Sequence, residues 1–281
     1  MNNDYFKIAL IQLKLQLDYD NNKEYLIENE QYFKQMDEVL NYLQHNNFDI
    51  ILFPELAYSE KYDNAFLQLS KDKIIVYGSK YIKNENQTIV YNNQQKKLIK
   101  KEFCSAVEPS IRFQRTISEK EFLKTKLKEH TFIIKRKKFI VLNCAEYYRV
   151  AYYIARDEKL SKNLFGFLVP CANNNNQVFL NESIAIHNHN HNVYSFVANS
   201  VASYAGKNYS KGGSYIFGPI SSFEKNTKTT SRIDHALNIC YLDDKICLIE
   251  GEFVNVNFSN YYRSDDYKHT PKQFKIHYMG D

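Results

Sequence analysis

Apolar residues along the chain fall into short continuous runs and one longer stretch with helical spacing. The runs KIALIQLKL (7–15), FDIILFPE (48–55) and LFGFLVP (164–170) have the length of strands. The last two are apolar almost throughout, which is typical of strands buried on both faces of a sheet. Between residues 22 and 46, apolar residues recur at steps of three and four, which predicts an amphipathic helix with one buried stripe.

The rest of the chain continues this alternation. Residues 132–146 predict a hairpin with KRKK at its tip, residues 147–162 predict a helix, and residues 182–200 predict a helix followed by a strand. Further strands are predicted at 73–79, 88–93, 96–103, 212–219 and 245–254. Strands mixed with helices predict the α/β or α+β class. We predict one domain over 1–260 and a polar, peripheral tail over 261–281.

Composition excludes several classes of protein. Hydrophobic residues make up 44% of the 281 positions and charged residues 25%, as in an average globular chain. The net charge of +5 is small and dispersed, so we expect no nucleic-acid partner. No apolar run approaches the ~18 residues of a membrane span, and the first residues do not resemble a signal peptide. Five cysteines without CxxC spacing indicate reduced thiols, so we expect a cytoplasmic protein with no membrane partner.

Three reactive side chains stand at or near the ends of predicted strands. Glu55 ends DIILFPE, Lys101 lies in LIKKEF, and Cys144 ends FIVLNC. Functional groups in α/β sheets collect at the carboxyl ends of strands. A carboxylate there serves as a general base for a thiol, and a lysine favours the thiolate and stabilises an oxyanion. Together the three groups predict acyl transfer through a thioester.

The two lysines at 100 and 101 are told apart by strand alternation. Ile99, Lys101 and Phe103 share one face of a strand, whereas Lys100 lies on the other. Because its neighbours on that face are apolar, Lys101 is the lysine predicted to point into a covered pocket.

These residues resemble the Glu–Lys–Cys triad of the nitrilase superfamily of carbon–nitrogen hydrolases. The similar segments are FPE (53–55), the lysine of LIKKEF, and NCAEYY (143–148), followed by LVPCANNN (168–175) and GGSYIFGP (212–219). The resemblance implies a four-layer αββα sandwich, two mixed sheets flanked by helices, and no cofactor. It also implies a second active-site glutamate, here Glu108 in VEPSI.

The resemblance also suggests which residues line the substrate pocket. We expect these to be the residues beside the triad and at the ends of the following strands, namely Glu146, Tyr147, Cys171, Asn173 and Asn199. The resemblance also implies a homodimer or higher homo-oligomer, and the helix after Cys144 agrees with this, because it carries more tyrosines than a solvated surface needs.

A run of alternating histidines and asparagines at 187–192 permits a second interpretation. His187 and His191 lie four residues apart and could share one face of a helix as metal ligands. No acidic residue accompanies them at ligand spacing. We therefore expect a polar surface or helix end here, and no metal.

The function predicted is hydrolysis of a non-peptide amide or nitrile, with an amide favoured. Cys144 attacks, Glu55 moves protons, Lys101 stabilises the oxyanion, and Glu108 orients the base or water. Two alternatives stay open. One is an acyl- or amidotransferase that uses the same triad. The other is a pseudoenzyme or interaction module on the same fold, such as those that work beside prokaryotic defence-associated reverse transcriptases.

Overall fold

The computed structural model describes residues 5–20, 23–83, 85–103, 117–190, 193–204, 206–219, 235–239, 246–255 and 269–279. The helices are α1 (Glu30–His45), α2 (Asp63–Leu69), α3 (Glu119–Thr125), α4 (Ala145–Arg156), α5 (Glu158–Ser161) and α6 (Asn176–His189). The strands are β1 (Tyr5–Gln12), β2 (Lys14–Asp20), β3 (Lys23–Leu26), β4 (Ile50–Phe53), β5 (Ile74–Ile82), β6 (Glu85–Asn92), β7 (Gln95–Lys100), β8 (Thr131–Ile134), β9 (Lys137–Val141), β10 (Leu164–Cys171), β11 (Tyr194–Asn199), β12 (Val201–Tyr204), β13 (Lys207–Lys211), β14 (Tyr215–Pro219), β15 (His235–Ile239), β16 (Ile246–Asn255) and β17 (His269–Met279).

The largest sheet has seven strands in the order β17-β16-β1-β4-β5-β6-β7. Strands β1, β4 and β5 run parallel, and the outer strands are antiparallel to their neighbours. The four residues of β4 are all buried, as expected for a central strand of a sheet covered on both faces. The strand predicted over 48–55 is confirmed, and Glu55 lies just beyond its carboxyl end.

The second sheet has six strands in the order β15-β14-β11-β10-β9-β8. Its centre, β9, β10 and β11, is parallel. Strands β8 and β9 form the predicted hairpin. Lys135 and Arg136 at its tip have φ angles of 47° and 64°, the left-handed conformation that a two-residue hairpin turn requires.

A smaller sheet, β13-β12-β2-β3, corrects two predictions about the first 46 residues. The strand predicted over 7–15 divides at Leu13, because β2 leaves the large sheet and pairs with β12. The helix predicted from residue 22 begins only at Glu30. The preceding Asn29 caps it, since its side-chain oxygen accepts a hydrogen bond from the Tyr32 backbone N–H at 2.9 Å.

Three hydrophobic clusters connect these elements. One combines residues of both large sheets, and the rings of Phe6 on β1 and Phe139 on β9 stack with centroids 5.3 Å apart. A second joins α1 and α2 to the other face of the seven-stranded sheet. A third joins α4 and α6 to the other face of the six-stranded sheet. The predicted mixed α/β class is confirmed.

The end of the chain contains a strand that the sequence did not indicate. Strand β17 lies within the predicted tail, 261–281, and pairs antiparallel with β16 at the edge of the large sheet. The Tyr42 hydroxyl of α1 lies 3.0 Å from Nε2 of His277, so this edge strand also contacts a helix. Pairing with β16, rather than an apolar pattern of its own, accounts for the strand.

No helix within the described ranges is long and apolar enough to cross a membrane.

Candidate functional site

Glu55 is held by the turn that follows β4. Its backbone N–H donates to the Cys171 carbonyl at the end of β10, at 3.2 Å. The next residue, Leu56, has a φ of 61°, and its N–H donates to Oγ of Ser79 on β5. Gly78 permits this approach, because a Cβ there would lie 2.5 Å from the Pro54 carbonyl oxygen. The position of Glu55 therefore depends on both β5 and β10.

Lys101 forms a buried ion pair with Glu55. The lysine Nζ lies 2.8 Å from Oε1 of Glu55, and the two residues are 3% and 4% exposed. Asn86 on β6 connects both partners, since its side chain donates to the same Oε1 at 2.9 Å and its carbonyl accepts from the Lys101 N–H at 2.8 Å. Lys100 instead pairs with Glu85 at the surface, which agrees with the alternation argument.

Cys144 stands between β9 and α4 in a strained conformation. Its φ of 48° and ψ of −105° lie in a region that residues with a Cβ seldom adopt. Its N–H donates to the Pro170 carbonyl of β10 at 2.9 Å, and its side chain is at the N-terminus of α4. The residue is 7% exposed. The residue that carries the thiol thus also has the unusual backbone conformation at the start of α4.

Cys171 connects the thiol to the ion pair. Burial raises the pKa of its own thiol well above the usual range, and its side-chain hydrogen bond with Cys144 raises it further. The Glu55 charge acts in the same direction and the Lys101 charge in the opposite one. Cys171 therefore interacts with Cys144, Glu55 and Lys101, and its role in the substrate pocket stays a prediction.

Both side-chain oxygens of Glu146 accept hydrogen bonds from backbone N–H groups next to the site. One oxygen accepts the N–H of Glu102 at 2.7 Å and the other accepts the N–H of Asn143 at 2.8 Å. Burial raises the pKa of this carboxyl to about 8. Because Glu102 follows Lys101 and Asn143 precedes Cys144, Glu146 fixes the separation of those two chain segments. These contacts are structural, and they lend no support to the prediction that Glu146 binds substrate.

Tyr147 is fully buried in the cluster between the helices and the six-stranded sheet. Its hydroxyl lies 2.9 Å from Oγ of Ser183 on α6 and 2.6 Å from Oγ of Ser195 on β11. Burial raises the pKa of this phenol. The hydroxyl connects helix to sheet, so the contacts of Tyr147, like those of Glu146, do not support its predicted role in binding substrate.

Asn199 at the end of β11 organises a neutral polar network. Its Nδ2 donates to the carbonyls of Asn173 and Gly212 at 2.8 and 2.7 Å, and its Oδ1 accepts the Asn173 N–H at 2.9 Å. Ser214 joins the network, since its Oγ donates to the Asn199 carbonyl at 3.0 Å. The hydrogen bonds of Asn173 and Asn199 hold two loops together, and the role of both residues in binding substrate stays a prediction.

Two other predictions have different outcomes. Glu108, the predicted second glutamate, lies outside the described residues. In the histidine run, α6 ends at His189, whose Nε2 lies 2.6 Å from the Tyr152 hydroxyl. His187 and His189 lie in the last turn of α6, which agrees with the expected helix end, but His187 is buried with its ring against Phe217 and so does not lie at a polar surface. Its place on the inner side of α6 accounts for the difference. His191 also lies outside the described residues.

Sequence reasoning missed Asn86 and underestimated Asn143. The side chain of Asn143 donates to Oγ1 of Thr88 at 2.9 Å, which ties the segment before Cys144 to β6. Asn86 stands in the polar stretch KNENQ, just before the predicted strand at 88–93. Nothing in that stretch indicates that Asn86 becomes buried, so its role follows only from the pairing of β6 with β7.

Comparisons with solved structures identify the fold. Glutamine-dependent NAD+ synthetase from Acinetobacter baumannii is 18% identical with a TM-score of 0.52, over 89% of this chain and 45% of that one. The NitFhit protein of C. elegans is 14% identical with a TM-score of 0.52, over 85% and 61%. This chain thus spans less than two thirds of either protein.

Nit3 from Saccharomyces cerevisiae, a member of branch 10 of the nitrilase superfamily, is 15% identical with a TM-score of 0.49, over 85% of this chain and 90% of that one. No protein-family model matches the sequence, and a search of curated proteins found no significant match. At such identities the likeness concerns the fold and not the reaction. On this structural similarity, the chain has the fold of the nitrilase superfamily of carbon–nitrogen hydrolases.

Proposed function

We propose that the protein hydrolyses a small non-peptide amide, or a nitrile, through Glu55, Lys101 and Cys144. The observation that carries the proposal is the buried Glu55–Lys101 ion pair next to the thiols of Cys171 and Cys144. Burying two charges is costly, and a purely structural role is served as well by apolar residues. A general base, an electrophilic cation and a nucleophile are the three groups that thioester chemistry requires.

The reaction proceeds in two halves. Glu55 accepts the proton of the Cys144 thiol as the sulfur attacks the carbonyl carbon, and the Lys101 ammonium stabilises the oxyanion. Glu55 then passes this proton to the leaving nitrogen, the C–N bond breaks, and a thioester remains. In the second half Glu55 accepts a proton from water, which attacks the thioester and releases the acid and the free thiol. Glu108 orients the base or this water.

The fold is proposed to have four layers, αββα. Support comes from the three hydrophobic clusters, one shared by the two large sheets and one on the helix-bearing face of each. The division into a domain over 1–260 and a tail over 261–281 remains a prediction, and β17 adds an edge strand beyond that boundary.

Assembly into a homo-oligomer is proposed through the helix after Cys144. Tyr148 and Tyr153 on α4 are 37% and 53% exposed, so two aromatic rings face outward next to the site. Sedimentation at micromolar concentration checks this proposal. A single species of 33.3 kDa would contradict it.

The proposed reaction is tested with a panel of small amides and nitriles, with ammonia release as the readout. We expect turnover by the wild type, none by Cys144→Ala, and a rate reduced by about 10²-fold or more for Glu55→Gln. Cys247→Ala is the control, since Cys247 lies in the cluster between the sheets. Limiting iodoacetamide should label Cys144 before Cys247.

The same assay separates the alternatives. Product that forms only when an amine acceptor such as hydroxylamine is added indicates a transferase. A folded wild type that releases no ammonia, with Cys144 protected from iodoacetamide, contradicts the hydrolase and favours an interaction module.

A further inference from the structure

Cys144 follows β9, and Cys171 ends β10, the parallel strand next to it. Val141 on β9 pairs with Leu168 on β10, and the hydrogen bonds continue this register beyond the end of β9. The Leu142 N–H donates to the Leu168 carbonyl at 3.0 Å and the Cys144 N–H to the Pro170 carbonyl at 2.9 Å. Continued to its end, the register puts Cys144 directly opposite Cys171.

The spacing of parallel strands suits a disulfide at this place. Adjacent strands lie about 4.7–4.9 Å apart. The Cα atoms of disulfide-bonded cysteines are usually about 4.4–6.8 Å apart. Both cysteines also belong to the same hydrophobic cluster, on the face that carries Leu142 and Val169. The Cys144 N–H donates to the carbonyl of Pro170, the residue before Cys171, so a bond between the two sulfurs needs little backbone movement.

We infer that Cys144 and Cys171 form a dithiol site that reacts with a hydroperoxide and closes to a disulfide, which blocks the nucleophile reversibly. The inference rests on the proposed function in one respect, because it uses Glu55 as the base that deprotonates Cys144. It goes beyond that function by giving Cys171 a chemical role that amide hydrolysis does not require.

The first step oxidises Cys144. Its thiolate, formed by proton transfer to Glu55, attacks one oxygen of the hydroperoxide, and the O–O bond breaks. The departing oxygen takes the proton from Glu55 and leaves as water or an alcohol, while Cys144 becomes a sulfenic acid.

The second step consumes the thiol of Cys171. Its proton passes to Glu55, its sulfur attacks the Cys144 sulfur, and the S–O bond breaks as the S–S bond forms. The leaving hydroxide takes the proton from Glu55 and becomes water. In total, two thiols lose two electrons to one hydroperoxide, which is reduced to two molecules of water or to water and an alcohol.

The two cysteines have unequal roles because their surroundings differ. Cys144 retains some exposure and lies at the N-terminus of α4, where a small peroxide can reach it. Cys171 is buried and its thiol pKa is raised, so it stays protonated until the sulfenic acid forms beside it. The third described cysteine, Cys247, lies in a different cluster, between the two sheets. Cys144 is therefore the residue oxidised first, and Cys171 the one that resolves it.

The test treats the full-length reduced protein with about one equivalent of hydrogen peroxide, blocks the remaining thiols, and analyses non-reduced peptides by mass spectrometry. We expect a linked Cys144–Cys171 peptide pair, a mass about 2 Da lower, and recovery of both thiols with dithiothreitol. In Cys171→Ser, a second equivalent of hydrogen peroxide should oxidise Cys144 from the sulfenic acid to a sulfinic acid that dithiothreitol does not reverse. Cys171→Ala is the second variant, in case the serine prevents folding. Cys247→Ala is the matched control and should still form the link.

Over-oxidation of Cys144 at the same rate with and without Cys171 would overturn the inference. A disulfide that joins another pair of cysteines would overturn it as well. Because the readout is a mass and needs no substrate, failure of the dithiol is distinct from failure of the hydrolase. A protein that releases ammonia but forms no disulfide contradicts only this inference, and one that forms the disulfide without releasing ammonia contradicts only the proposed hydrolysis.

Discussion

Two polar clusters lie side by side along the carboxyl ends of β9, β10 and β11, and they differ in the chemistry of their side chains. On one side Cys171 pairs in register with Asn199. On the other side, β10 pairs with β9, the strand that precedes Cys144. Toward Cys144 lie thiols and the Glu55–Lys101 ion pair. Toward Asn199 lie amides and hydroxyls. We refer to them as the thiol cluster and the asparagine cluster.

Burial is nearly the same in the two clusters, but the state of their hydrogen bonds differs. The amide of Asn199 is bonded through both its nitrogen and its oxygen to groups of neighbouring loops. None of those groups changes charge near neutral pH. The thiol cluster holds groups that gain and lose protons, and the buried Glu55 carboxylate there pairs with the Lys101 ammonium and accepts a hydrogen bond from Asn86. A titratable residue at a strand end is thus a candidate for catalysis. An amide at a strand end whose nitrogen and oxygen are both hydrogen-bonded is a candidate for a structural role.

The largest effect is expected from removing Lys101. Lys101→Ala leaves the buried Glu55 carboxylate without its cation, which should lower the free energy of unfolding by about 3–5 kcal/mol. The matched control is Lys100→Ala, which removes the exposed pair with Glu85 and should cost less than about 1 kcal/mol. Urea denaturation measures both.

A double variant sharpens this prediction. Lys101→Met with Glu55→Gln removes both charges and should recover much of the lost stability while activity remains absent. Equal stability of Lys101→Ala and Lys100→Ala would show that the ion pair does not determine the difference between the clusters.

A smaller loss is expected in the asparagine cluster. Asn199→Ala removes the acceptor of the Asn173 N–H and one of the donors to the carbonyls of Asn173 and Gly212, which keep Ser210 Oγ and Asn176 Nδ2, and should cost about 1–3 kcal/mol. Iodoacetamide labelling of Cys144 should be unchanged. The control is Asn181→Ala, at an exposed position on α6. If folded Asn199→Ala loses ammonia release, the predicted role of Asn199 in substrate binding stands and the comparison fails.

The smallest effect concerns the pH dependence set by Glu146. Its pKa is raised from 4.5 to about 8 in the folded protein, so between these values the folded state keeps a proton that the unfolded state has lost. Stability therefore falls as pH rises through this window. His130, with a pKa lowered from 6.5 to about 4, acts in the opposite direction below pH 6.5.

Glu146 should therefore dominate this pair above pH 6.5, with a slope of at most about 1.4 kcal/mol per pH unit. Glu146→Gln should remove this slope between pH 6.5 and 8, measured by urea denaturation at several pH values. Glu85→Gln is the control, because the pKa of Glu85 is lowered by Lys100 and lies outside that range. Parallel curves for the wild type and Glu146→Gln would contradict the structural role of this carboxylate.

Much of the thiol cluster could be predicted from the sequence. The apolar run before Glu55 and the run before Cys144 each indicate a strand end, and alternation in β7 selects Lys101 over Lys100. These are local signals, because the hydrophobic pattern of a strand's own residues predicts whether the strand is buried. Nothing local separates the asparagine cluster from a substrate pocket, since an asparagine serves in either.

The sequence by itself determined the class of fold, the buried central strands, and the order of a carboxylate, an ammonium and a thiol along the chain. The tertiary structure decided which polar groups meet. It brought Asn86 to the ion pair, directed both oxygens of Glu146 to backbone N–H groups, and joined the Cys144 N–H to the Pro170 carbonyl beside Cys171. The reason is physical: a side chain's own pattern reports whether it is buried, whereas its partner is set by strand register and sheet order, which bring together residues far apart in the chain.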